Sequence, residues 1–144
     1  MALVIEVILC AFSPLSGQVL NGIDSLAQAS FRPLENLRIG LITNHSGLAR
    51  DGKRTIDLLH AAPNLKLVKL FSPEHGMRGT AEGKIVDGVD NQTGLKIHSL
   101  YGASRKPAPA SLRDIDALVF DIQDIGCRFY TYISTMGNCM EAAG

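Results

Sequence analysis

Ala117-Leu118-Val119-Phe120-Asp121-Ile122-Gln123-Asp124 is the stretch that decides the fold. Its first half is a short apolar run, which reads as a buried strand. Its second half switches to side chains that hold ligands or move protons. The same junction occurs twice upstream. Arg38-Ile39-Gly40-Leu41-Ile42 runs into Thr43-Asn44-His45-Ser46-Gly47, and Leu65-Lys66-Leu67-Val68-Lys69-Leu70-Phe71 runs into Ser72-Pro73-Glu74-His75-Gly76. In open α/β sheets, ligands bind just beyond the carboxyl ends of the strands. The pattern therefore predicts a parallel sheet with Asn44, Glu74, Tyr101 and Asp121 clustered along one edge.

Working outward, Val19 to Leu26 reads as a strand or turn leading in, and Arg32-Pro33-Leu34 as a break. Strands are expected at Arg38–Thr43, Leu65–Phe71, Leu95–Leu100 and Asp116–Asp121. A helix fits Thr55–Ala61, with Ile56 and Leu59 on one face and Thr55 as its cap. Pro63-Asn64 ends it. Pro109 opens a short helix to Arg113, and Tyr130–Gly144 has apolar residues at helical spacing. Between Glu74 and Gly94 lies a long glycine-rich stretch, the kind that commonly serves as a binding loop or lid. Strands alternating with helices define an α/β fold. Four strands make a small sheet and the chain stops inside an apolar helix, so the pattern predicts a truncated domain.

The 144 residues suit one domain, and 46% hydrophobic with 19% charged residues suits a globular chain with a core. The formal net charge is zero, which argues against a nucleic-acid partner. The cysteines Cys10, Cys127 and Cys139 form no CxxC pair and no zinc-type spacing with histidine. Cys127 and Cys139 are expected to fill core or near-core space. No metal and no cofactor is expected. Residues 1–16 are apolar and signal-like, but Glu6 interrupts the run and no Lys or Arg precedes it. Two readings stay open: export to the periplasm or exterior if the segment is a signal, and a cytoplasmic chain otherwise. The run is too short for a bilayer span, which takes about 20 residues.

Three constellations carry chemistry. Glu74-His75 sets a carboxylate beside an imidazole just past a strand, with Pro73 fixing the turn and Gly76 freeing the backbone. Buried at a strand end, a Glu can have its pKa raised enough to serve as a general acid; the structural alternative is a turn whose Glu caps nearby amides. Asp121, Gln123 and Asp124 offer the second member of an acid pair or a turn capping the next helix. If the backbone stays extended, Asp121 and Gln123 share a face. Arg128 can clamp a carboxylate, and Tyr130 and Tyr132 offer flat faces for sugars or simple packing. Thr43-Asn44-His45-Ser46-Gly47 supplies amides and side chains for hydroxyls or phosphates. There is no GxGxxG and no GxxxxGK[ST], which weakens a nucleotide reading.

Gly40–Gly47, Phe71–Gly79, Ser99–Gly102 and Val119–Tyr132, taken in order, resemble the exo-β-N-acetylmuramidase family. PEHG and FDIQDxGxRFYTY are the specific segments, and the match runs from about Val19 to the C-terminus. The resemblance implies a Rossmann-like catalytic domain, of which residues 17–144 form a part, and a smaller C-terminal domain that this sequence does not reach. It implies release of N-acetylmuramic acid from the non-reducing end of peptidoglycan fragments, in a cleft between the two domains. Glu74 is then the catalytic candidate, with Asp121, Asp124 or the substrate's own 2-acetamido group as its partner. Asn44, His75, Arg78, Tyr101, Gln123, Arg128, Tyr130 and Tyr132 become candidates for holding a muropeptide-derived sugar. Arg128 or Arg78 would meet the lactyl carboxylate. The rival readings are a non-catalytic sugar- or nucleotide-binding module and a defective fragment.

Overall fold

The computed structural model describes residues 19–73, 76–77, 87–101 and 105–144. In chain order the elements are α1 (Gly22–Gln28), a 3-10 turn (Arg32–Leu34), β1 (Arg38–Thr43), α2 (Thr55–Ala61), β2 (Lys66–Ser72), β3 (Gly88–Val89), β4 (Lys96–Ser99), α3 (Pro109–Leu112), β5 (Ala117–Asp121) and α4 (Tyr132–Ala143). The sheet runs β3-β4-β2-β1-β5. β1, β2, β4 and β5 are parallel, and β3 is an antiparallel outer strand.

β1 is central because its side chains are apolar on both faces. Ile39 and Leu41 pack with Ile56 and Leu59 of α2 and with Leu67 and Leu70 of β2. On the other face, Ile42 and Phe71 pack with Cys139 of α4, and Leu112, Ile115, Leu118 and Phe120 close around them. Gly40 is required by that second layer: a Cβ would sit 2.7 Å from Ile115 Cδ1 and 2.8 Å from Leu118 Cδ2. Burial pushes the Cys139 thiol up to about 11, so it remains a protonated core group. Cys127 is half-buried.

The strand order sets the site. β1, β2 and β4 step outward in one direction, and the chain then returns to place β5 on the opposite side of β1. The connections after β1 and after β5 therefore diverge at the carboxyl edge, the topological switch where open α/β sheets take ligands.

Four expectations are corrected. Val19 to Leu26 is not a strand: α1 begins at Gly22, because the Asn21 side chain accepts from the Asp24 amide at 3.0 Å and caps it. Ile23 is then buried. Thr55 is not a cap; Arg54 occupies that position and the Thr55 hydroxyl bonds elsewhere. A fifth strand, β3, arises inside the glycine-rich stretch. Asp90 Oδ2 accepts from the Thr93 amide and hydroxyl, and Gly94 takes φ +70°, which turns the chain into β4. The final helix also starts at Tyr132 rather than Tyr130. No helix of the described residues is long and apolar enough to cross a membrane.

At the amino edge, Arg38 grips Asp116 through Nε at 3.0 Å and Nη2 at 2.8 Å, while each backbone amide reaches across to the other residue. The hydrogen bonds from Arg38 and its charge hold the Asp116 carboxyl down from 3.8 to about 2. A depressed carboxyl stabilises the fold above its unfolded value and loses that contribution as pH falls through its folded value. Asp116→Asn should therefore be less stable than the wild type near neutrality, and the gap should close between 3.8 and about 2. Urea unfolding at stepped pH measures this. A gap that is constant across the window would mean the pair contributes nothing through its charge.

Candidate functional site at the carboxyl edge of the sheet

Thr43 and Asp121 are register partners at the last step of the β1–β5 ladder. The Thr43 hydroxyl donates to the Asp121 carbonyl at 2.7 Å. From the first turn of α2, the Thr55 hydroxyl donates to Asp121 Oδ2. Gly47 lies in the space between: a Cβ there would be 2.2 Å from Thr43 Oγ1 and 3.1 Å from the Asp121 carbonyl oxygen. The Gly47 amide donates to the Asn44 carbonyl at 3.2 Å, and the Gly47 carbonyl accepts from the Thr55 amide at 3.1 Å. The β1–α2 loop is thus folded tightly over the end of β5.

Asn44 is 2% exposed. Its Oδ1 accepts from the Ser46 amide at 2.8 Å and from the Ser46 hydroxyl at 2.6 Å. Ser46 Oγ in turn accepts from the Gln123 amide at 2.9 Å. One serine therefore ties the loop after β1 to the loop after β5. Asn44, Asp121 and the Gln123 backbone are brought together in this way.

Other candidates stand farther along the same edge. β5 ends at Asp121, and Gln123, two residues beyond it, is exposed. Asp124 is exposed and accepts from the Gly126 amide at 2.7 Å, with Gly126 at φ +72°. It makes the turn expected of an Asx residue. Arg128 is exposed and has no ion pair with Asp121 or Asp124 among the described residues. Tyr101 follows β4 and is 44% exposed. Tyr130 is partly open, whereas Tyr132 is buried and shows no free face for stacking. The two rings meet at 5.9 Å, and Phe129 lies 5.8 Å from Tyr130.

Glu74, His75 and Arg78 lie outside the described residues. Their flanks are firmly held: Pro73 is fully buried, Met77 belongs to the α2-side core, and Gly76 takes φ +76°. Among the described residues, no three His, Cys, Asp or Glu side chains gather as metal ligands.

Sequence reading missed Thr55 and Phe129. Thr55 stands at a helix start, where its hydroxyl is ordinarily assigned to capping. Its long-range partner becomes visible only once the start of α2 is set against the end of β5. Phe129, 81% exposed, could have been found from the unbroken aromatic run it shares with Tyr130 and Tyr132.

A doubly wound α/β sheet that reverses its strand order at β1, with polar side chains converging at the carboxyl end of the reversal, is the arrangement in which open α/β sheets carry ligand sites. The chain belongs to the family described as exo-beta-N-acetylmuramidase NamZ, N-terminal, whose model matches residues 39–144. It is 47% identical over 128 residues to the peptidoglycan beta-N-acetylmuramidase NamZ of Bacillus subtilis (strain 168), covering 88% of this chain and 31% of that protein. Two crystal structures of DUF1343 family proteins from Bacteroides fragilis NCTC 9343 share the fold. One superposes with a TM-score of 0.80 at 54% identity, covering 86% of this chain and 31% of its own. The other has a TM-score of 0.71 at 38% identity, covering 88% and 31%. The chain thus spans about a third of the length of these relatives.

Gly47→Ala should destabilise the fold by roughly 1–3 kcal/mol, the scale of overpacking a filled site. Combining it with Thr43→Ala should cost less than the sum of the two, because the closest clash is with the Thr43 hydroxyl. Denaturant unfolding of the four proteins in this cycle decides the matter. An unperturbed Gly47→Ala protein would mean the loop does not pack on β5 as described.

Proposed function

We propose that the protein of family length carrying this sequence is an exo-acting β-N-acetylmuramidase. It releases N-acetylmuramic acid from the non-reducing end of peptidoglycan fragments, and residues 17–144 form the sheet-bearing part of its catalytic domain. The observation that carries this is the family match across residues 39–144, which spans both the PEHG and the DIQD segments, together with 47% identity to a peptidoglycan beta-N-acetylmuramidase. The polar carboxyl edge of the sheet supports it as the surface on which a sugar would rest.

In this reading Glu74 is the general acid that protonates the departing glycosidic oxygen. The substrate's 2-acetamido oxygen supplies the internal nucleophile, a route some glycosidases follow. The state of the two aspartates favours that choice over a second catalytic carboxylate. Asp121 is engaged by Thr55 and packed against Gly47, and Asp124 closes its own turn. Asp121 then acts by holding the β1–α2 loop. Arg128, with no ion-pair partner among the described residues, is a cation free to meet the lactyl carboxylate, with Arg78 as its alternative; a guanidinium fork suits that group. Tyr101 and Tyr130 offer exposed ring faces to the sugar or its attached peptide. Asn44, His75 and Gln123 complete the polar lining.

Turnover of a chromogenic β-N-acetylmuramide by full-length variants tests these assignments. Glu74→Gln should lose at least about a hundredfold in kcat, the usual scale for a general acid. Asp121→Asn should stay within about tenfold of the wild type, the lower side of that scale. A Glu74→Gln protein of near-normal turnover would remove Glu74 from the mechanism. An Asp121→Asn loss matching that of Glu74→Gln would make Asp121 the second catalytic carboxylate. Arg128→Lys should weaken action on muramides more than on matched glucosaminides, by about 1–3 kcal/mol on the scale of charged hydrogen bonds. Equal losses on both sugars would leave Arg128 a structural role.

A further inference from the structure

The Asn44 side chain carries one half of its amide satisfied and the other half idle. Its Oδ1 takes two hydrogen bonds from Ser46, at 2.8 Å and 2.6 Å. Its Nδ2 is shielded from water and has no hydrogen-bond partner among the described residues. The orientation is fixed by chemistry: the Ser46 backbone N–H can only donate, so the atom it meets must be the carbonyl oxygen. The idle atom is therefore the donor. Leaving a buried donor unpaired costs about 1–3 kcal/mol, and native proteins rarely carry such a cost in a well-packed region without a use for it.

Position supplies the use. Thr43 pairs with Asp121 and Ile42 with Phe71, so Asn44 is the first residue past the central strand, at the switch point of the sheet. Ser46 and the Gln123 amide brace it from the side of β5. A braced side chain with one free donor is pre-organised to recognise an acceptor. The donor is a neutral amide in a dry setting. A neutral carbonyl oxygen can meet it without burying a charge.

We propose that Asn44 Nδ2 donates to the acyl oxygen of the sugar's 2-acetamido group, and so makes Asn44 the residue that selects N-acylated sugars. This rests on the reading of the protein as a muramidase. Ser46 is a positioning residue that holds Asn44 in place.

Asn44→Asp tests the assignment, because it keeps the oxygen that Ser46 needs and replaces the donor with an acceptor; the charge it adds acts on both of the ligands compared. Affinities of the full-length protein for N-acetylmuramic acid and for 3-O-lactylglucose, which has a hydroxyl in place of the acetamido group, should be measured by calorimetry. The wild type should prefer the acetamido sugar. Asn44→Asp should weaken that ligand by about tenfold to a hundredfold, the range of one lost hydrogen bond with its partner left unpaired. It should weaken 3-O-lactylglucose by a clearly smaller factor, because that ligand loses no hydrogen bond and both anionic ligands meet the same added charge. Equal weakening of both ligands, or of neither, overturns the proposal while leaving the muramidase reading intact. A wild type that binds neither sugar and cleaves no muramide overturns both. The wild-type protein gives a second readout should the variant fold poorly. The Asn44 side-chain amide resonances should shift in 15N spectra with N-acetylmuramic acid and stay still with 3-O-lactylglucose. Resonances that stay still with both while other signals move would overturn the assignment.

Discussion

The seam between β1 and β5 is the constraint on which the rest of the structure depends. Thr43 and Asp121 end their strands side by side, and the Thr43 hydroxyl, the Thr55 hydroxyl and Gly47 all converge on Asp121. These contacts, one to the Asp121 carboxylate and one to its backbone carbonyl, do two jobs at one residue. They dock α2 onto the far side of the central strand, and they fold the β1–α2 loop so that Asn44 and Ser46 stand at the sheet's open edge. At the other end of the same two strands, Arg38 and Asp116 close the ladder. β1 and β5 are thereby tied at both ends, which suits a pair of strands that borders a binding crevice. A site held on strand ends inherits the rigidity of the sheet.

Much of this was legible in the residues. The apolar runs at Arg38–Thr43, Lys66–Ser72 and Ala117–Asp121 declare strands because each is β-branched or aliphatic and stops at a polar cluster. α2 was legible to the residue, since Ile56 and Leu59 share a face and Pro63 forbids continuation. The parallel arrangement followed from helices placed between strands. α1 was misread because its N-terminal signal is one asparagine, and the segment is short enough to fit several patterns. β3 was invisible for a related reason. Two residues carry no periodicity, and their pairing depends on a turn built by Asp90, Thr93 and Gly94.

The site was legible as a set of residue types and not as a set of partnerships. Asn44, Asp121 and Tyr101 fall at strand ends, as their position after apolar runs requires. Which of them are free to act cannot be read from spacing. Asp121 has an engaged carboxylate, and Asp124 spends its own on a turn. Arg128 has no ion pair among the described residues, and half of the Asn44 amide is idle. Tyr132, chosen for its flat ring, has that ring buried while its neighbour Phe129 is open. Such distinctions arise from contacts between residues that are tens of positions apart, such as the 66-residue separation of Thr55 and Asp121. The family relationship sets the chain beside relatives about three times its length.

The claim at the centre of this account is that sugar recognition occurs where β1 and β5 part at the carboxyl edge. A crystal structure of the full-length Glu74→Gln protein soaked with a muropeptide disaccharide tests it most directly. The N-acetylmuramic acid ring should lie over this edge, with its acetamido group beside Asn44 and its lactyl carboxylate toward an arginine. A ring bound at the amino edge near Arg38 and Asp116, or on the outer face of α4, would contradict it.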